Sequence, residues 1–232
     1  MLTAKKKISV REAVPKSASA NFFYDAQEWL KQNGKIVGGV VIGLVAIIVV
    51  WYFYSSGKAA DDVEANRMLR QVMPLYGQQQ YKLAITGDPN QNIPGLKTIV
   101  EKYGGTPTGQ AATIYLANAY LYTDELDKAY ETFDDASPDS DILNAAALAG
   151  KAAVYEAKKN YKDAAPLFEK AANAVENDLL RSGHQLSAGR AYGLSGDKEM
   201  AKKMLELVKE AKSTRYHQEA DKLLAQFELI GE

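Results

Sequence analysis

His184 and His217 are the two imidazoles of a chain without cysteine, and neither has a second metal-ligating side chain at ligand spacing. A thiolate metal site and a cysteine nucleophile are excluded, and an isolated imidazole on a helix reads as an ordinary surface or helix-end side chain. The stretch Asp88-Pro-Asn90-Gln-Asn92 opens like a calcium loop. It then sets Ile93 where the sharp turn needs Gly and Ile99 where the bidentate Glu belongs, so it fails as one. Tyr103-Gly-Gly-Thr-Pro-Thr-Gly109 is glycine-rich but lacks a following Lys-Ser/Thr, which makes it a turn and not a phosphate cradle. Asp134, Asp135, Asp139 and Asp141 crowd one junction, where carboxylates serve turns and helix caps. No Ser/His/Asp or paired-carboxylate spacing emerges. The chain reads as a non-enzyme with no catalytic residue, no metal and no cofactor.

The elements that hold these residues begin with an uncharged run of 19 residues, Ile36 to Tyr54. At ~1.5 Å rise per residue it reaches ~28 Å, close to the ~30 Å hydrocarbon core of a bilayer. Only a helix satisfies its own backbone at that depth, so the β-branched richness does not argue for a strand. Trp51, Tyr52 and Tyr54 crowd one end as an interfacial belt would. Residues 36–54 are therefore expected to be a transmembrane helix. Gly34/Gly38 and Gly39/Gly43 are small pairs four apart that would permit helix contact within it.

Residues 1–57 carry seven basic and three acidic side chains, whereas the rest carries 21 and 26. Lys5, Lys6, Lys7, Arg11, Lys16, Lys31 and Lys35 all precede the run, which puts the N-terminus in the cytoplasm and the remainder across the inner membrane, in the periplasm. A cleaved signal peptide is the rival reading, with Ser55-Ser56-Gly57 as the cut. The 35-residue polar leader and a run longer than the usual ~7–15 residues favour a retained anchor. Absence of cysteine fits an oxidising envelope compartment. The mildly acidic remainder disfavours nucleic acid, while the basic tail suits a lipid bilayer with anionic headgroups.

Residues 1–20 are polar and Lys-rich, a disordered tail. Phe22, Phe23, Ala26, Trp29 and Leu30 then recur at helical spacing, predicting a short amphipathic helix over residues 21–33 on the membrane surface. From residue 61 to 232 the pattern is Ala-rich, aromatic and helical. Leu116, Ala117, Tyr120, Ala129, Phe133 and Ala136 match the tetratricopeptide spacing. The same phase returns at Ala152, Tyr155, Ala164, Phe168 and Ala171, and again at Gly189, Tyr192, Ala201 and Leu205. Lys151 and Gln185 stand where larger apolar residues are usual. The fold class is all-α: one transmembrane helix, then a tetratricopeptide-repeat α-solenoid with repeats at about 110–140, 145–178 and 182–212. A degenerate first unit, 61–105, holds a helix from Val63 disturbed at Pro74 and another started by Pro94. Pro166 falls near the first turn of its helix, and residues 216–229 cap the stack.

In that register the groove-facing residues are Ile114, Asn118, Tyr122, Ala149, Ala153, Glu156, Leu186 and Arg190. The mixture suits an extended or helical apolar segment and lacks the cationic clamp that holds a C-terminal carboxylate.

Trp29-Leu30-Lys31-Gln32-Asn33-Gly34-Lys35 before the run, and Ile99-Val-Glu-Lys-Tyr-Gly-Gly-Thr-Pro107 leading into Ala111-Ala112 and Leu116-Ala117, resemble the YfgM-like family of ancillary Sec translocon subunits. That resemblance implies a single-span, membrane-anchored repeat protein linked to protein export. It also implies chaperone-like binding, with translocon components, periplasmic chaperones or exported clients as partners. A structural or assembly subunit of another membrane complex, contacting it through the span, is the competing expectation.

Overall fold

The computed structural model describes residues 26–227. The chain forms two compact units that divide between Ser55 and Ser56. In the first, helix α1 (residues 26–32) is separated by a turn at Asn33 from α2 (Gly34–Gly77). The Asn33 amide donates to the Trp29 carbonyl at 2.9 Å. The expected amphipathic helix began at Asn21, and its residues 21–25 lie outside the described residues. The leading part of α2 is the apolar run. Among the described residues α2 is the one helix long and apolar enough to cross a membrane, with a mean hydropathy of 2.7 over its best window and none of that window buried.

The second unit takes the last part of α2, then α3 (Tyr81–Thr86), β1 (Gly87–Asp88), β2 (Ile93–Pro94), α4 (Leu96–Tyr103), α5 (Pro107–Tyr122) and α6 (Leu126–Asp134). Helices α7 (Asp141–Ala157), α8 (Tyr161–Asn173), α9 (Asp178–Ser195), α10 (Lys198–Glu210) and α11 (His217–Gln226) complete it. The end of α2, α5, α7 and α9 act as A helices, and each is followed by a B helix.

Each A helix ends in the same turn. Gln79, Asp124, Lys159 and Gly196 take φ of 61°, 64°, 58° and 89°. The next N–H closes each helix: Gln80 to the Leu75 carbonyl, Glu125 to Tyr120, Asn160 to Tyr155 and Asp197 to Tyr192, at 2.8–3.0 Å. This is the Schellman closure, which satisfies carbonyls that a helix end otherwise leaves open. Five residues after every turn stands a fully buried alanine: Ala84, Ala129, Ala164 and Ala201. With no side chain beyond Cβ, it lets helix B approach helix A, and a larger residue fills the space beside it. Phe133 does so against Gly150, where a Cβ would stand 2.2 Å from the ring, and Leu205 against Gly189, where the gap would be 2.7 Å.

These turns place the first repeat in the same register, with its helix B broken in two as α3 and α4. Nine residues after Asp124 and Lys159 stand Phe133 and Phe168, but nine after Gln79 stands Asp88. There a hairpin intervenes, β1 pairing antiparallel with β2 as Gly87↔Pro94 and Asp88↔Ile93. Gly87 adopts φ 89°, and a Cβ on it would meet the Ile93 carbonyl oxygen at 2.5 Å, so only glycine fits. Beyond the hairpin Leu96 and Ile99 are fully buried and supply the missing apolar mass.

Three expectations are corrected here. Pro94 does not start a helix: it is held in β2, Gly95 is the cap and Leu96 the first helical residue. The helix expected from Val63, disturbed at Pro74, is not a separate element but the end of α2, which runs through Pro74 to Gly77. Pro166 lies inside α8 and not in its first turn. A proline there forfeits one backbone hydrogen bond, which the packing of the apolar face outweighs.

Side chains of α2, α5 and α9 near their entry ends hold backbone of α5, of the loop before α7 and of the segment before α11. Thr108 N–H donates to Asp62 Oδ1 (2.8 Å), Ser137 N–H to Gln110 Oε1 (2.9 Å) and Ser213 N–H to Asp178 Oδ2 (2.7 Å). The core behind them forms separate clusters. The first runs from Ala65 in α2 to Val154 in α7, another joins Ala152, Phe168, Ala188 and Met204, and a third joins Leu205 and Val208 to Leu223 and Leu224 of α11. A fourth gathers Ala145, Ala171 and Val175.

Candidate functional site

The turn register fixes which residues form the A-helix face. Three and six places before the turns stand Tyr76, Leu121, Glu156 and Gly193, and Met73, Asn118, Ala153 and Arg190. Glu156 on α7 and Arg190 on α9 are brought together: Arg190 Nε donates to Glu156 Oε1 at 3.1 Å and Nη2 to Oε2 at 3.0 Å. Such a two-point guanidinium–carboxylate pair fixes both planes. Asn118 turns its amide back to the Ile114 carbonyl of its own helix, 2.9 Å away. Ala149 and Ala153 are half-buried against the α7–α10 cluster.

One of the eight expected groove residues is core and not groove lining. Ile114 is 7 % exposed and belongs to the first core cluster, to which the helices of the first repeat, from Ala65 to Ile99, also contribute. Leu186 is half-buried against the third cluster, as Ala149 and Ala153 are against theirs. Tyr122 is 58 % exposed, but one ring face is already stacked on Tyr81, with centroids 4.7 Å apart and planes at 27°.

That stack belongs to an arrangement that the spacing argument missed. Tyr76 meets Tyr81 and Tyr115 edge-on, each at 5.2 Å. Burial, and then the neighbouring tyrosines, raise the Tyr76 hydroxyl above the usual phenol range. Tyr81, Leu83 and Tyr122 line a cavity of about 580 Å³ with Gln79, Lys82 and Asp124 around it. The signal was present in Ala84, five residues after Gln79, which puts Tyr81 at the start of a helix B.

Other polar groups are engaged in packing. Tyr192 donates to Glu169 across α8 and α9 at 2.6 Å, and burial followed by this bond raises its hydroxyl well above the ordinary value. Lys151, where Leu is usual, reaches Asp134 at 2.9 Å. Asp88 accepts from Asn90 N–H (2.9 Å) and Gln91 Nε2 (2.7 Å), so its carboxylate shapes the hairpin turn. Burial lowers the His184 imidazole, and His217 Nε2 lies 3.2 Å from the Ala211 carbonyl oxygen.

Paired helices with small-residue contacts, repeated in one phase, define a helical-hairpin repeat array. The model of the tetratricopeptide repeat-like domain matches residues 27–181, and the chain belongs to that family. Such repeats generally mediate protein–protein interactions and are typically non-enzymatic scaffolds. No curated protein matches the sequence significantly. Among solved structures, the nearly identical TPR-like repeats of a Podosopora anserina kinesin-light-chain-type protein are 20 % identical with a TM-score of 0.45, over 74 % of this chain and 92 % of that one.

Proposed function

We propose that the chain is a membrane-anchored tetratricopeptide scaffold, or chaperone-like protein-binding subunit, on the periplasmic side of the inner membrane, working beside Sec protein export without catalysis of its own. One observation carries the anchor: an apolar helical segment, with none of its best window buried, adjoins a repeat array that has its own core. A contiguous exposed apolar surface of that size is not left to water. The excess of Lys and Arg before it sets the orientation. The link to export draws on the resemblance to the YfgM-like family.

A second reading, a structural or assembly subunit of another membrane complex, draws on the span. Gly34/Gly38 and Gly39/Gly43 are small pairs four apart in α2, the spacing that lets two membrane helices approach closely. Affinity isolation in mild detergent separates the two. Recovery of translocon components and periplasmic chaperones supports the first, and should persist when the span is replaced by an unrelated apolar helix. One stable non-export complex, lost on that replacement, supports the second and sinks the first.

A further inference from the structure

A quarter of this chain is Asp, Glu, Lys or Arg (25 %), yet the A-helix face carries a single acid and a single base three and six places before its turns. They are Glu156 and Arg190, and they neutralise each other through both carboxylate oxygens, at 3.1 and 3.0 Å. Their neighbours in the two rows offer no further charge: Ala153 lies one turn before Glu156, and Gly193 lies one turn after Arg190 with Phe227 against it. The Glu156 side chain is 24 % exposed, while that of Arg190 is 46 % exposed. The cation is within reach of a ligand, but its Nε/Nη2 edge is held by Glu156, and a carboxylate at the remaining Nη1 edge would stand beside the one already there.

We propose that Glu156 sets the charge specificity of this face: by holding Arg190 it keeps the face neutral, so that it takes uncharged apolar segments and refuses acidic ones, chain-terminal carboxylates included. This rests on the protein-binding reading above. An acidic segment must either bring a second carboxylate beside Glu156 or break its pair with Arg190, and both are unfavourable. An uncharged segment meets neither obstacle. The specificity therefore comes from a repulsive element as much as an attractive one.

The test uses the full chain in lipid nanodiscs, with empty discs as the blank, and two fluorescent peptides of equal length with blocked ends. One is an uncharged Ala/Leu peptide; the other has two of its residues changed to aspartate. Fluorescence anisotropy should show the uncharged peptide bound in preference. Glu156→Gln, which preserves the side chain's shape, should strengthen the acidic peptide's binding about tenfold relative to that of the uncharged one. Adding Arg190→Gln should abolish that gain, and Arg190→Gln alone, with Glu156 unpaired, should deepen the refusal. Equal binding of both peptides by the unaltered chain overturns the proposal, as does a Glu156→Gln variant that still binds the uncharged peptide with its preference unchanged. If no form binds either peptide, the protein-binding reading of the face falls, and this specificity with it.

Discussion

At the scale of single residues, the contacts that matter are the ones made possible by a missing atom. The Phe133 ring occupies the place that a Cβ on residue 150 would need, 2.2 Å away. Gly150→Ala should therefore cost about 1–3 kcal/mol by overpacking, read as a lower melting temperature of the full chain in detergent. A melting curve identical to that of the unaltered chain would show that α6 and α7 can part without loss. A second prediction concerns Tyr192, whose proton is held by burial and by Glu169. Folded, it keeps that proton above the ordinary phenol value; unfolded, it releases it near pH ~10. The unfolded chain then binds fewer protons, so stability is intact below that pH and falls as pH rises beyond it. Urea titrations across that range should show a shallower decline in Tyr192→Phe, and equal slopes would remove the buried hydroxyl from the account. The spacing of small and aromatic residues was legible in the sequence at this scale. The fate of Ile114 was not, since a helix of the array has neighbours on several sides and spacing alone does not say which is absent.

At the scale of elements, the A–B turns carry the regularity and the first helix B carries the exception. Ala164 is fully buried where α8 meets α7, so Ala164→Trp should cost about 1–3 kcal/mol or more, and an unchanged melting temperature would show the register to be wrong there. Gly87→Ala should destabilise by about 1–3 kcal/mol, because the residue is held at φ 89° against the Ile93 carbonyl. Gly105, with open space around its Cβ position, supplies the control: Gly105→Ala should leave the melting temperature almost unchanged. The hairpin itself was hidden from pattern reading. Its strands are two residues each, too short for an alternating signature, and Pro94 resembled a helix start. What could have been seen is the turn register, in which Gln79 and Ala84 stand as Asp124 and Ala129 do. The left-handed turn residues are Gln, Asp, Lys and Gly, and only the last announces itself.

At the scale of the whole molecule, the predicted orientation is checked by a reporter fused after Glu232 that is active only outside the cytoplasm. Activity is expected, and activity of the cytoplasmic counterpart alone would reverse the orientation argument. The tetratricopeptide-like repeat and the helical array were legible because each repeat restates the same packing solution; the partner was not, because a mixed, largely uncharged face specifies shape more than identity. The division of the core into separate clusters has its own consequence for how the array comes apart. No single nucleus ties α11 to α5, since the clusters share only intermediate helices. Opening should then spread inward from the cap, as it does when stability is a sum over neighbours. Amide protons of α11 should exchange with deuterium first, those of α9 and α10 next, and those of α5, deep in the largest cluster, last. A uniform exchange rate throughout would mean that the array unfolds as one cooperative body, with the side-chain-to-backbone hydrogen bonds near the helix entry ends coupling what the apolar clusters do not.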